Sequence, residues 1–216
     1  MGLFNFFKNK NSHPTTVKSA EEQLSEIVKE IYNCYHDLYT DISRPLKECS
    51  NREARAVRIG SEIPLIAQFD FENFNTLLFN NMNLEIKDKN FTFVQEQSTL
   101  YVLFSDRYLF SQVGNEGRNQ VMEELESGYL NKMMKLANHN EAAWHYSKKH
   151  ILEREKETPQ SGSMADFLAF YQLKLIHRLE LENNNAFVSF LLTQIIGTGT
   201  TEFAIQMLST LKNEEE

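Results

Sequence analysis

Apolar positions recur at steps of three and four along most of this chain, the spacing that lines one face of an α-helix. The pattern is clearest after Ser19. Leu24, Ile27, Val28, Ile31, Tyr35, Leu38, Tyr39 and Ile42 fall on one side, and Ser19 with Glu22 supplies a capping box at the start. Ser43-Arg44-Pro45 ends this helix, because the residue before a proline is pushed out of the helical region. A second, shorter helix is expected from Ser50, boxed with Glu53, to Ile59, with Gly60 beyond it.

Between Ile63 and Phe110 the pattern changes. Asp70 to Asn80 reads as a short buried helix capped by Asp70. Leu84–Ile86, Phe91–Val94 and Thr99–Phe104 are short β-branched and aromatic runs separated by polar KDKN and QEQS, which predicts a small antiparallel β-meander near residues 84–104. Such a meander is stable when a helix covers its apolar face.

Helical spacing returns after Asn115 and Gly117, with Val121, Leu125, Tyr129, Met133 and Leu136 as an inner line. Asn138-His139-Asn140 breaks to a helix from Glu141 to Lys156, followed by a polar linker at 158–163. Ser163 and Asp166 open the next helix. Its apolar side, Phe167, Phe170, Tyr171, Leu175 and Leu179, also carries Lys174 and Arg178, so this face is expected to run past the rim of the core. After a turn at Asn183-Asn184-Asn185, Ala186 to Ile196 reads as a core helix closed by Gly197, and Thr200 or Thr201 as the cap of a last helix through Leu211.

The expected fold is mainly α, with α+β as the alternative class: a bundle of about seven helices with one small meander. The organisation is a flexible N-terminal arm (1–18), a single helical domain (19–212) and an acidic tail (213–216). Only 8 glycines and 4 prolines in 216 residues favour long helices. The two cysteines, Cys34 and Cys49, are too few for a disulfide framework, which favours a reducing, cytoplasmic setting, and Cys34 falls on an apolar stripe as a small hydrophobe. A net charge of −8 disfavours nucleic acid and favours a basic or neutral protein partner. The longest apolar stretch, Ala186 to Ile196, is too short to cross a bilayer.

Candidate chemistry is sparse. Arg52, Arg55 and Arg58 form the one basic concentration, and forked guanidinium donors bind carboxylates and phosphates in pairs; internal acidic segments such as Glu123-Glu124 are the competing partners. Trp144, beside a charged helix, is the candidate interface anchor. Glu141 and His145, with His139 before them, His150 after them and His177 or Glu180 from another helix, could hold a metal for hydrolysis, but neither HExxH nor paired ExxH motifs are present. Gly197-Thr198-Gly199-Thr200-Thr201 lacks the lysine of a phosphate loop. Phe4, Phe6 and Phe7 offer a peripheral membrane anchor. The preferred expectation is a non-enzymatic protein-binding module without cofactor or metal, an adaptor or an immunity-type inhibitor acting through an acidic surface; the metal-assisted hydrolase and the peripheral membrane protein are the alternatives.

Overall fold

A computed structural model describes residues 19–159, 161–181 and 186–212. The arm with Phe4, Phe6 and Phe7, the Asn183–Asn185 turn and the acidic tail lie outside them. Among the described residues there are six α-helices: α1 (Ala20–Ser43), α2 (Arg52–Met82), α3 (Asn90–Leu136), α4 (Glu141–Glu157), α5 (Met164–Arg178) and α6 (Ala186–Gln206). Gly114, at φ 69° and ψ −173°, breaks α3 into two segments, which the Asp106–Arg118 pair ties together with two 2.6 Å hydrogen bonds across the break. A glycine accepts this left-handed φ without the Cβ clash any other residue meets.

The capping boxes at Ser19/Glu22 and Ser163/Asp166 form as expected. The one at Ser50 does not: Asn51 caps α2, its side chain accepting from the Ala54 amide at 2.8 Å. Nor does α2 end at Gly60 or restart at Asp70. It runs through both, and through Pro64, which cannot donate to the Gly60 carbonyl. Tertiary packing explains the continuation. A Cβ at Gly60 would sit 1.9 Å from the Leu125 carbonyl oxygen, and one at Gly128 2.1 Å from that of Val57, so α2 and the second segment of α3 touch backbone to backbone.

The β-meander is not present; no strand occurs among the described residues. Leu84–Ile86 is a connection after Asn83, whose left-handed backbone caps α2, and Phe91–Phe104 is the first segment of α3. Every residue from Gln95 to Ser105 is buried, so this segment has no polar face and no 3.6-residue alternation to betray it. Its polar residues are compatible with a buried helix because they find partners there. Thr99 Oγ1 and Ser105 Oγ donate to the carbonyls four residues back at 3.0 and 2.7 Å, and Gln95, Glu96 and Gln97 reach side chains on other helices.

α2 and the first segment of α3 run antiparallel, with Phe74 against Phe93 and Asp70 against Gln97 and Tyr101. On them lie α6, through Leu191, Leu192, Ile195 and Phe203, and α1, through Ile31, Tyr35 and Tyr39. α6 continues through the sequence expected to be a cap. Thr200 Oγ1 donates to the Ile196 carbonyl at 2.7 Å rather than capping a new helix, and Gly199 makes room for the Tyr101 hydroxyl, 2.5 Å from where a Cβ would stand.

Candidate functional site

Two buried carboxylates sit on facing elements and are handled in opposite ways. Asp70, fully buried, accepts from the hydroxyls of Tyr35 (2.5 Å) and Tyr101 (3.0 Å) and from Gln97 Nε2 (2.8 Å), and Tyr39 donates to the Tyr101 hydroxyl at 3.3 Å. All its partners are neutral. Desolvation therefore outweighs the hydrogen bonds, and the carboxyl is pushed up to about 7.

Glu96 is also buried but lies among cations. Arg154 grips it with Nε and Nη2, each at 3.1 Å, and Arg178 Nη1 takes the same carboxylate from α5. The outer nitrogens of the two guanidiniums bind Glu157, Arg154 Nη1 at 2.9 Å and Arg178 Nη2 at 2.8 Å, so two carboxylates and two guanidiniums alternate in a closed ring that joins α3, α4 and α5. Burial alone would push Glu96 up; hydrogen bonds from His150 and Arg154 and the charge of Arg178 overcome it and hold the carboxyl below its usual range.

Glu96, Arg154 and Arg178 of this ring form one wall of a cleft of about 410 Å³ between α3, α4 and α5. Gln95 and His150 are buried in it, Lys149 and Glu153 stand at its mouth as a 3.7 Å pair, and Phe91 and Tyr146, both more than half exposed, form its aromatic rim. The Tyr146 ring stacks on His150 with centroids 6.4 Å apart, and its hydroxyl reaches Gln95 Oε1 at 3.4 Å. The arrangement offers fixed charges and donors, which suits holding a polar group.

A second surface is the outer side of α1. Its six carboxylates, Glu21, Glu22, Glu26, Glu30, Asp37 and Asp41, are exposed, and Lys29 is its only lysine or arginine. Glu26, Glu30, Asp37 and Asp41 recur at steps of four and seven, which places them along one flank. Tyr32, half exposed, stacks on His36 on the other flank. Cys34 is half-buried; desolvation and then the charges of Glu30 and Asp37 push its thiol up, away from the nucleophilic thiolate.

The expected site residues are scattered. Arg52 and Arg55 are half-buried and both engaged, whereas Arg58 is exposed and pairs with Glu62 at 3.0 Å. Trp144 is half-buried and packs on the core. Glu141 and His145 are exposed on the first turns of α4, and no group of three or more His, Cys, Asp or Glu that could hold a metal occurs among the described residues. None of the described helices is long and apolar enough to cross a membrane. Sequence reasoning missed Glu96 and Arg154, and met His150 as a candidate metal ligand rather than as a neighbour of Glu96. One signal was available: Lys174 and Arg178 on the apolar side of α5 called for a buried or rim-lying acidic partner, and Arg178 finds Glu96 and Glu157. Comparison with protein-family models, curated proteins and solved structures brings no match, so nothing about activity is carried over from a relative.

Proposed function

We propose that the chain is a non-enzymatic protein-binding module, an adaptor or an inhibitor of the immunity-protein kind, that meets a basic partner along the exposed side of α1. The supporting observation is the carboxylate row Glu26, Glu30, Asp37 and Asp41 on a helix whose opposite side, Ile31, Tyr35 and Tyr39, is committed to the core. Like charges held in register on a rigid element raise the local potential and steer a complementary surface into place. Tyr32 and His36, on the other flank of the same helix, are amphipathic rings of the sort that anchor interfaces. Arg58, exposed on α2, is the member of the arginine set best placed for a secondary contact; Trp144, half-buried, is a weaker one.

The experiment is affinity capture with the wild type and with a variant carrying Glu26→Gln, Glu30→Gln, Asp37→Asn and Asp41→Asn. The expected result is a partner of basic isoelectric point that the wild type retains at low salt. Retention is lost in the variant, and is lost by the wild type at about 0.5 M salt, where the screening length falls to roughly 4 Å. Equal retention by both proteins, with the variant melting as the wild type does, rejects the proposal.

A further inference from the structure

The outward side of α6 is uncharged. Ala186, Phe190, Thr193, Gly197, Thr201 and Ile205 recur at steps of three and four and share one face, on the side away from Leu192, Ile195 and Phe203 in the core. Ala186, Thr193, Thr201 and Ile205 are exposed, Phe190 and Gly197 are half-buried, and a Cβ built on Gly197 meets nothing within 4 Å. From Ala186 to Thr201 the helix has no Asp, Glu, Lys, Arg or His. The solvent side of a helix ordinarily carries such residues, as that of α1 does, whereas the centre of a protein interface is depleted of them.

A second uncharged row lies on the neighbouring helix. α5 runs beside α6, Gln172 Nε2 donating to the Ser189 carbonyl at 2.9 Å, and Ala165, Ala169 and Leu173 are exposed on α5 at steps of four. Leu173, next to that contact in sequence, is 67% exposed, and Ile205, at the far end of the α6 face, is 59% exposed. The α6 face is about 30 Å long at the helical rise, and two packed helices are about 20 Å across. Roughly 600 Å² per copy is the lower end of what a specific protein interface buries.

Charge and position together identify the occupant. A chain of net charge −8 repels its own copies, so a second copy approaches most readily where neither brings a charge, and this face meets that condition. Phe190 and Ile205 stand equally far from the point between Gly197 and Thr198, as do Gln194 and Thr201. A twofold axis through that point therefore sets Phe190 of each copy against Ile205 of the other, while the small residues at the crossing let the two helices come close. We propose that the chain forms an isologous homodimer in which α6 crosses α6 of a second copy, antiparallel, at Gly197 and Thr198, with Leu173 at the edge of the contact. The contact uses no residue of α1, so it stands or falls independently of the protein-binding proposal.

The test is sedimentation velocity of the full chain from about 5 to 500 µM, at about 0.05 M and about 0.5 M salt. The expected Kd is on the order of 10–100 µM, in keeping with so small an interface. It should tighten about threefold or more at the higher salt, because screening removes the repulsion between copies while the contact has no ion pair to lose. A basic partner on α1 shows the reverse dependence. Thr201→Glu and Gln194→Lys should each weaken the dimer about tenfold or more. Both changes in one chain should restore it to within about threefold of the wild type, since the twofold axis brings position 201 of each copy to position 194 of the other. Thermal melts at about 2 µM, below every expected Kd, should match the wild type for Thr201→Glu, whose site is exposed. The proposal is overturned by a chain that stays monomeric at about 500 µM, whatever else then covers α6, or by a dimer that Thr201→Glu leaves intact, that the double change fails to restore or that salt weakens.

Discussion

Replacing Asp70 by asparagine should flatten the pH dependence of this protein's stability in a direction opposite to that of most carboxylates. The folded-state carboxyl sits at about 7 against an ordinary value of 3.8. Between those limits the folded state keeps the proton that the unfolded chain gives up, so the contribution of Asp70 is fully present below about pH 4, declines as pH rises and is exhausted above about pH 7. A separation of about three pKa units corresponds to ~4 kcal/mol across the window, or ~1.4 kcal/mol per pH unit in its middle. Asparagine cannot ionise and keeps one carbonyl oxygen for the Tyr35 hydroxyl, but its amide nitrogen can accept from neither Gln97 nor Tyr101, so a constant penalty is added at every pH. The assay is urea unfolding of both proteins at half-unit steps from pH 4.5 to 8, plotted as wild type minus variant. Subtraction removes groups such as Glu96, whose lowered pKa acts in the reverse sense by adding stability that is lost as pH falls through its folded value. The expected difference falls by roughly 2–3 kcal/mol between pH 5 and 7 in disfavour of the wild type. A difference that is flat with pH, or that rises, refutes the argument that neutral hydrogen bonds cannot offset the desolvation of this carboxylate.

Gly197 and Gly199 of α6 should part company in thermal melts. Gly199→Ala puts a methyl 2.5 Å from the Tyr101 hydroxyl and 3.1 Å from the Tyr35 ring and should cost about 1–3 kcal/mol, whereas Gly197→Ala has open space on a helix and should gain up to ~1 kcal/mol from propensity. Similar behaviour of both would show that α6 is not continuous through this stretch. Gly60→Ala, with its Cβ 1.9 Å from the Leu125 carbonyl oxygen, must separate α2 from α3 and should cost more than about 3 kcal/mol in urea unfolding. Glu96→Gln leaves two partly covered guanidiniums with Glu157 as their remaining anion and should cost about 1–3 kcal/mol at neutral pH, with the loss shrinking in acid.

How much of this was legible in the sequence depended on whether an element keeps a wet side. α1, α4 and α5 do, and their starts, including both capping boxes, could be read from Ser19, Asn140 and Ser163 together with the apolar spacing behind them. α2, the first segment of α3 and α6 are covered on several sides, so the three-to-four alternation vanishes and local punctuation misleads. Gly60 reads as a terminator but is where two backbones cross; Gly199 reads as part of a cap but is the space beside two tyrosines. QEQS reads as a turn because its residues are polar, and polarity inside a helix becomes intelligible only once Asp70, Arg154 and Tyr146 are seen to receive those side chains. The cleft was hidden for the same reason: its members come from residues 91–96, 146–154 and 178, and only the fold brings them together.

The same separation of wet and dry polarity shapes what the surface can do. Inside, Asp70 is neutralised by desolvation and Glu96 is matched by Arg154 and Arg178, while buried Glu202 has Gln206 at 2.6 Å and His36 at 3.6 Å as partners. Outside, six of the carboxylates that contribute to the net charge of −8 are exposed on α1, with Lys29 as their only lysine or arginine neighbour on that helix. Helix stability does not call for that concentration. Only Glu21 and Glu22 lie in the first turn, where a negative charge favours the helix dipole, and Asp41 sits in the last turn, where it is unfavourable and is compensated by Arg44 at 2.9 Å. Glu26, Glu30 and Asp37 lie mid-helix, where the dipole does not reward them and where Glu26 and Glu30, four apart, repel. On the proposed reading, this solvent-facing row, which includes the repelling pair Glu26 and Glu30, serves a basic partner that approaches from outside.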